Sequence, residues 1–292
     1  MKPRFAIVVF FAALPLLAQQ NSQQSQPAAP NLLGAQPGTP PLQNPDLYQG
    51  QSYWRPFGRM AKFVLRDQKA IWPSPFHTSE SDIKYWAIFG GSTLGLIFAD
   101  QHIAHAAPDT PGLRTLGTSV SYLGAFYTVL PLTGGFYFLG TAAGDQRFRE
   151  TGLLGFETLA NTGVVLVALK AITDRERPKQ GSLEGHFEEG PSRLNSSFPS
   201  GHAASAFALA SVFAHEYHDK TWVKVLAYAY AAGVCGARLA ANQHFPGDTL
   251  AGGAIGWFIG DYVYATRHNP ALDGKSTLPG KILAHVRIGP GF

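Results

Sequence analysis

The chain has 292 residues, of which 45% are apolar and 14% are charged, and its formal net charge is +4. This length is sufficient for one large domain with an extensive core, and the weak positive charge without a basic stripe argues against a nucleic-acid-binding protein. The single cysteine, Cys235, excludes an internal disulfide and a cysteine-based metal site. Low charge combined with 32 glycines is typical of a membrane protein or a tightly packed helical protein.

Residues 1–18 have the composition of a secretory signal peptide. Lys2 and Arg4 precede an apolar stretch, and the small residue Ala18 follows it, so we predict cleavage after Ala18. The apolar stretch is shorter than the about 20 residues that a membrane-spanning helix needs. Residues 19–52 are rich in Gln, Pro, Ser and Gly and are predicted to form a disordered linker. We therefore expect export to the cell envelope.

Residues 53–80 contain a short amphipathic stretch in which apolar and basic side chains recur with helical spacing. The apolar positions are Phe57, Met60, Phe63, Val64 and Ile71, and the basic positions are Arg59, Lys62, Arg66 and Lys69. Two interpretations are open at this point. Either the helix lies on a membrane surface with its apolar face down, or it is an ordinary amphipathic helix on the surface of the protein.

Residues 81–268 contain six apolar segments that are compatible with helices and lack the period-two alternation of strands. These segments are Ile83–Ala99, Leu116–Thr141, Gly152–Ile172, Gly201–Tyr217, Trp222–Leu239 and Asp248–Ala265. Residues 269–292 follow as a C-terminal tail. We therefore predict an all-α fold, a membrane-associated bundle of about six core helices.

The predicted orientation in a membrane depends on where the basic residues fall. One face of the bundle would carry Arg147, Arg149, Lys220, Lys224 and Arg267. The positive-inside tendency makes that face cytoplasmic, so the three motifs described next would face outward, in agreement with export. Glu157, Asn161, Lys224 and Asp261 interrupt the apolar segments, and an odd number of spans after a cleaved signal peptide would put the Lys170 segment inside. A soluble or surface-bound periplasmic bundle, or a first apolar segment that does not cross, is therefore the alternative.

The first motif joins Lys170 to Arg177 and Pro178. Lys170 and Arg177 are two helical turns apart, so they would project from one face of a helix that continued to Pro178. Two such cations would suit an anionic ligand. Taken alone, they are also expected merely to stabilise the C-terminus of a helix.

The second motif is Pro199-Ser200-Gly201-His202, which is followed by an apolar helical segment. Ser200 is a favourable N-cap, and Gly201 leaves the backbone accessible, so the free N–H groups of the helix N-terminus can bind an anion. His202 in the first turn can donate a proton to that anion. The alternative is an ordinary capped helix with an incidental histidine.

The third motif consists of Arg238, His244 and Asp248, with Arg238 ending one predicted helix and Asp248 beginning the next. A carboxylate near a histidine fixes its tautomer and stabilises its cationic form. An oriented imidazole is a competent nucleophile toward phosphorus. The alternative is a helix-capping aspartate beside a solvated loop histidine.

In order and spacing, the three motifs together resemble the signature of the type 2 phosphatidic acid phosphatase and vanadium haloperoxidase superfamily. The resemblance covers roughly residues 152–265. It implies a phosphatase that acts on phosphate monoesters or pyrophosphates, with lipids as the expected substrates, and that needs neither a metal nor another cofactor. The sequence departs from the family at Ala237, where a serine usually precedes the arginine.

The resemblance also implies a role for each motif residue. His244 would attack phosphorus and form a phosphohistidine, Asp248 would orient His244, and His202 would protonate the leaving alkoxide. The phosphate oxygens would be bound by Lys170, Arg177, Arg238 and the backbone of Ser200 and Gly201.

Two features outside the motifs also bear on function. Asp100, His102 and His105 have a metal-like spacing, but a fourth ligand is not evident and we predict no metal site. The loop of residues 179–197 joins the first two motifs. A solvated loop is the default interpretation of this segment, and a loop that covers the site and selects substrates is the alternative.

Three other functions are compatible with these motifs. They are a soluble, broad-specificity acid phosphatase of the periplasm, a vanadate-dependent haloperoxidase with vanadate on His244, and a non-catalytic phosphate- or lipid-binding membrane protein. The expected partners are a phosphorylated lipid or small phosphoester and a membrane, and no nucleic acid. The expected location is the cell envelope, either in the membrane with a periplasm-facing site or soluble in the periplasm.

Overall fold

The computed structural model describes residues 54–77, 80–107, 109–180, 183–190 and 192–274. The predicted signal peptide and linker, and the C-terminal tail beyond residue 274, lie outside the described residues.

The described part of the chain contains α-helices joined by short turns and 3-10 helices, and no strand, which confirms the all-α prediction. The eight helices described are α1 (Arg55–Ile71), α2 (Glu80–Ala106), α3 (Pro111–Ser121), α4 (Phe126–Ala143), α5 (Gln146–Thr173), α6 (Gly201–Glu216), α7 (Thr221–Ala240) and α8 (Pro246–Arg267).

One predicted segment, Leu116–Thr141, is divided between α3 and α4 in the structure. A 3-10 helix over Tyr122–Gly124 separates the two, and the extended backbone of Ala125 stops the helical ladder. The Thr128 hydroxyl donates to the carbonyl of Tyr122 at 2.7 Å and stabilises this corner. The hydropathy pattern did not show the break because apolar residues continue through it.

Helices α6 and α8 pack closely along a stripe of glycines on α8. A Cβ atom at Gly252 would clash with the backbone of Ser200, and one at Gly256 would clash with the backbone of Ala204. Small residues at this spacing allow two helix backbones to approach. The close approach also lets the Ser200 N–H donate to the carbonyl of Asp248 at 2.9 Å, which joins the second motif to the third.

Helix α5 runs antiparallel to α6 and α8, so the bundle has two functionally distinct ends. The C-terminus of α5 meets the N-termini of α6 and α8 at one end, which we call the motif end. The N-terminus of α5 meets the C-termini of α6 and α8 at the other, which we call the far end. There, His268 lies 3.0 Å from a carboxylate oxygen of Glu216 and 3.2 Å from one of Glu150.

Three helical segments of the described chain are long and apolar enough to cross a membrane: Pro111–Ala143, Gln146–Thr173 and Thr221–Ala240. These segments are consistent with the predicted membrane-associated bundle. Two of the basic residues expected at a cytoplasmic face, Arg147 and Arg267, are instead buried and paired with acidic side chains. Because these two charges form ion pairs inside the protein, they do not indicate which face of the bundle is cytoplasmic.

Helix α1 lies against the bundle with its apolar face covered by protein. Met60 and Ile71 are buried among core residues of α5 and α8. Asp67 is also buried and forms an ion pair of 2.6 Å with Arg267 at the end of α8. Of the two interpretations of this helix, the structure shows the amphipathic helix packed on the protein.

Candidate active site

The three motifs converge at the motif end of the bundle, where the two cations of the first motif come from different kinds of segment. Helix α5 ends at Thr173, and Asp174 has a left-handed backbone with φ of 35°, so the chain turns away before Arg177. The expectation of one continuous helical face is therefore wrong. Lys170 projects from the last turn of α5, and Arg177 reaches the site from the segment that follows.

Backbone carbonyls hold both cations of the first motif. The Lys170 ammonium donates to the carbonyl of Ser196. The Arg177 guanidinium donates to the carbonyl of Gln243 at 2.9 Å, and the same Nη1 atom lies 3.2 Å from Nε2 of His244. The first motif thus contacts the third directly.

His244 lies in the turn between α7 and α8 and is buried. Its Nδ1 atom lies 2.7 Å from the carbonyl of Ser197 and 3.7 Å from Oδ2 of Asp248. The short contact to a carbonyl requires the proton on Nδ1, so the lone pair of Nε2 points toward Arg177. The direct acceptor that orients His244 is therefore the Ser197 carbonyl, with the Asp248 charge just beyond it.

Asp248 sits in the first turn of α8 and is fully buried. It accepts hydrogen bonds from the Ser197 hydroxyl at 2.5 Å, the Phe245 N–H at 2.8 Å and the Arg175 guanidinium at 2.6 Å. Burial opposes ionisation, but the partners, led by His244 and Arg175, hold the pKa of Asp248 below its usual value. Asp248 is therefore an anion beside His244.

Arg175 and Asp100 are two residues of the site that the sequence reasoning missed. The Nη1 atom of Arg175 bridges Asp248 at 2.6 Å and Asp100 on α2 at 2.9 Å. The guanidinium is buried between the rings of Phe187 and Phe245, 4.8 and 4.6 Å from their centroids. The sequence does place Arg175 among the charged residues of the first motif, which could have marked it as a site residue. It does not show that its partner is Asp100, 75 positions away.

The structure separates the residues of the metal-like run. Asp100 is buried and also accepts a hydrogen bond from the Gly247 N–H at 2.9 Å, whereas His102 and His105 are exposed. Burial raises the pKa of Asp100 to about 6, and the bonds from Gly247 and Arg175 oppose that rise. Asp100 thus supports Arg175 and is not grouped with the two histidines.

His202 lies in the first turn of α6, where Ser200 caps the helix by accepting from the Ala203 N–H at 3.5 Å. Burial, followed by the charges of Arg238, Arg177 and Lys170, lowers the pKa of His202 to about 3. The imidazole is therefore neutral at neutral pH while the site holds no anion. The charges of all three cations therefore act on His202.

Arg238 ends α7 and is buried, and its Nη1 atom donates to the Ser121 hydroxyl at 3.2 Å. Its Nε atom is buried without a hydrogen-bond partner among the described residues. In the same part of the chain, no carboxylate forms an ion pair with Lys170, Arg177 or Arg238. A cluster of cations at a helix N-terminus, none of which is directly paired with a carboxylate in the described residues, is suited to bind an oxyanion.

Residues 183–190 of the connecting loop pack over Arg175. The Gly185 carbonyl accepts from Arg175 Nε at 3.0 Å, and the Glu176 N–H donates to the carbonyl of His186 at 2.9 Å. The acidic side chains Glu184, Glu188 and Glu189 are exposed. The loop therefore closes the inner side of the site with its backbone and presents its charges outward.

Residues 152–271 match the family model described as the PAP2 superfamily. A lipid A 1-phosphatase of Porphyromonas gingivalis is 39% identical over 69 residues, which are 23% of this chain and 16% of that protein. A lipid A 4'-phosphatase of Bacteroides thetaiotaomicron is 36% identical over 86 residues, 29% of this chain and 38% of that protein. The matched part of this chain thus spans well under half the length of either relative.

Two solved structures are similar to the described helices. Aquifex aeolicus LpxE has a TM-score of 0.43 and 24% sequence identity, with 56% of this chain and 91% of that chain covered. A PAP2-type phosphatidylglycerolphosphate phosphatase from Bacillus subtilis has a TM-score of 0.48 and 24% identity, with 63% and 92% covered.

Proposed function

We propose that the protein is a metal-independent phosphatase acting on phosphorylated lipids, because residues 152–271 match the family model of the PAP2 superfamily. The observation that carries the proposal is the convergence of His244, His202 and three cations at one end of the bundle. In phosphoryl transfer, the protein contributes mainly by positioning the reacting groups and by stabilising negative charge. Lys170, Arg177 and Arg238 supply that charge without a metal.

The first step is attack of His244 Nε2 on phosphorus. The Nδ1–H bond to the Ser197 carbonyl leaves Nε2 without a proton. Without substrate the Nε2 lone pair faces Arg177, and substrate binding would turn that guanidinium to a phosphate oxygen and free the lone pair for attack. The N–P bond forms as the P–O ester bond breaks. The imidazolium of the phosphohistidine is stabilised by Asp248, 3.7 Å from Nδ1.

Protonation of the leaving alkoxide is assigned to His202. Its pKa of about 3 in the unliganded site is too low for an acid at neutral pH. A bound phosphate dianion opposes the charges of Arg238, Arg177 and Lys170, which raises the pKa of His202 and loads it with the proton it will donate. Neutral His202 then takes a proton from the water that hydrolyses the phosphohistidine, and phosphate leaves.

A lipid is the proposed carrier of the phosphate. The apolar segments long enough to cross a membrane support a position of the motif end at a membrane surface. The relatives that match are named lipid A phosphatases, so lipid A is the first substrate to test, together with phosphatidate and undecaprenyl pyrophosphate. The secretory character of residues 1–18 supports an active site that faces the periplasm. The same spans disfavour the soluble periplasmic alternative.

The test is phosphate release by purified protein in detergent from lipid and soluble phosphomonoesters, with and without EDTA. We expect turnover of at least one lipid phosphate that EDTA does not reduce. Strong inhibition by EDTA would contradict the metal-independent scheme. Failure to release phosphate from any member of the panel would count against the proposed activity.

The nucleophile is tested by His244→Ala, with His105→Ala as the matched control because His105 is exposed and outside the motifs. We expect no turnover and no acid-labile phosphoenzyme after rapid quenching of His244→Ala with labelled substrate. His105→Ala should match the unmodified protein in both measurements. Normal turnover in His244→Ala would show that the reaction does not proceed through a phosphohistidine at this residue.

A further inference from the structure

Helix α3 approaches the end of α7 through two buried positions one turn apart. Gly117 and Ser121 are the residues of α3 that are buried. A Cβ atom at Gly117 would lie 2.7 Å from the carbonyl oxygen of Ala237 and 2.8 Å from the backbone nitrogen of Ala241. A side chain at Gly117 would push the two helices apart. The glycine therefore allows the close approach at which Ser121 contacts Arg238, the residue after Ala237.

The Ser121 hydroxyl is arranged to accept a hydrogen bond from Arg238. Its proton is directed to the carbonyl of Thr118 at 2.8 Å, which leaves the oxygen lone pairs for Arg238 Nη1 at 3.2 Å. Ser121 is fully buried. Among the residues that the structure describes, this is the hydrogen bond that the Arg238 side chain makes, and its Nε atom has no partner.

We propose that Ser121 is a positioning residue for Arg238. The inference rests on the proposed phosphatase function, because Arg238 matters as one of the phosphate-binding cations. A guanidinium binds a phosphoryl group through directional N–H bonds. Ser121 therefore aims those bonds, and its loss should lower kcat more than it raises KM, because alignment matters most in the transition state.

The first experiment compares Ser121→Ala with Ser119→Ala, which removes the same hydroxyl from an exposed position on the same helix. We expect kcat/KM for the best lipid phosphate to fall about tenfold in Ser121→Ala, an effect of about 1.4 kcal/mol. Ser119→Ala and the unmodified protein should agree, and thermal unfolding in detergent should be the same for all three. A Ser121→Ala variant with unchanged kcat/KM would overturn the proposal.

The second experiment separates positioning from a general structural role. If Ser121 acts through Arg238, then Ser121→Ala should cause no further loss when Arg238 is already replaced by methionine. The same tenfold loss in both backgrounds would show that Ser121 acts elsewhere, and would also overturn the proposal.

Orthovanadate can expand from four to five oxygen or nitrogen ligands and then mimics the transition state of phosphoryl transfer, so its binding provides a measurement that does not depend on turnover. The thermal stabilisation by vanadate should require about tenfold more vanadate in Ser121→Ala than in Ser119→Ala. If the unmodified protein releases phosphate but Ser121→Ala binds vanadate normally, the positioning role fails and the phosphatase stands. If the unmodified protein releases no phosphate while Ser121→Ala still weakens vanadate binding, the phosphatase fails and the positioning role stands.

Discussion

The two ends of the helical bundle are both buried and polar, but they neutralise charge in opposite ways. At the far end, three cationic side chains each have an acidic partner within the protein. The pairs are Arg147 with Asp219 at 2.6 Å, Arg267 with Asp67 at 2.6 Å and with Glu157 at 3.0 Å, and His268 with Glu216 at 3.0 Å. At the motif end, the charges of Lys170, Arg177 and Arg238 all act on His202, and the carboxylates Asp100 and Asp248 are bound instead by Arg175.

The difference shows what each end is built for. Burying a charge is costly unless an opposite charge and hydrogen bonds accompany it. At the far end, acidic side chains of the protein supply the opposite charges, so the ion pairs join α1, α5, α6 and α8. The motif end meets this condition for Asp248 and leaves Lys170, Arg177 and Arg238 to be satisfied by a ligand. Preorganised, unneutralised charge of this kind stabilises the transition state of phosphoryl transfer.

The largest effect is expected from Arg267→Met at the far end. This change leaves Asp67 and Glu157 buried without their common cation, and breaking a buried ion pair costs about 3–5 kcal/mol. Denaturant unfolding in detergent should show that loss, while kcat per folded molecule is unchanged. Lys69→Met, at an exposed position of α1, is the control. An unchanged free energy of unfolding would mean that the ion pairs of the far end do not stabilise the fold.

The same substitution at the motif end should have the reverse pattern. Arg238→Met removes a buried cation that has no acidic partner in the described part of the chain. We expect kcat/KM to fall about 10²–10³-fold, the usual cost of removing one donor to a developing oxyanion. The free energy of unfolding should be unchanged or higher, because like-charge repulsion with Arg177 is relieved. If Arg238→Met lowered the free energy of unfolding as much as Arg267→Met, the charges at both ends would serve to stabilise the fold, and the proposed difference would be wrong.

The parts of the site that sequence predicted are those set by local spacing. Ser200 caps α6, and the turn between α7 and α8 holds His244 close to Asp248 because only three residues separate them. The helix order and the capping residues were enough to expect an all-α bundle with its polar motifs at one end. These features depend on short-range geometry, which periodicity and capping rules describe well.

The parts that sequence could not supply depend on contacts between distant segments. Arg238 and Ser121 are 117 positions apart, and Arg175 and Asp100 are 75 apart. In the sequence, Ser121 is one serine in an apolar run and Asp100 belongs to a metal-like pattern. The pairing of each with an arginine follows only from how α2 and α3 pack on the bundle.

A tetrahedral oxyanion should complete the charge balance of the motif end and stabilise the protein. Orthovanadate at about a hundred times its Kd should add about 2.7 kcal/mol to the free energy of unfolding. The stabilisation should be smaller in Arg238→Met and intact in Arg267→Met, measured relative to each variant without vanadate. Equal stabilisation of the two variants would place the anion away from the motif end.

The smallest effect is a change in the protonation of His202. Without an anion its pKa is about 3, below the 6.5 of an unfolded histidine, so between these values the unfolded chain binds the extra proton. His202 therefore makes stability decline as pH falls from about 6.5 toward 3. A bound oxyanion favours the imidazolium and should raise the pKa of His202 by at least about 1, or about 1.4 kcal/mol.

NMR titration of ring-labelled histidine, assigned with His202→Gln, would measure this pKa with and without vanadate. The ring signals of the exposed His105 serve as the internal control. A His202 pKa that stays the same when vanadate binds would mean that the anion does not offset the three cations. His202 would then have no means of acquiring the proton it must donate, and the acid in the proposed reaction would have to be another group.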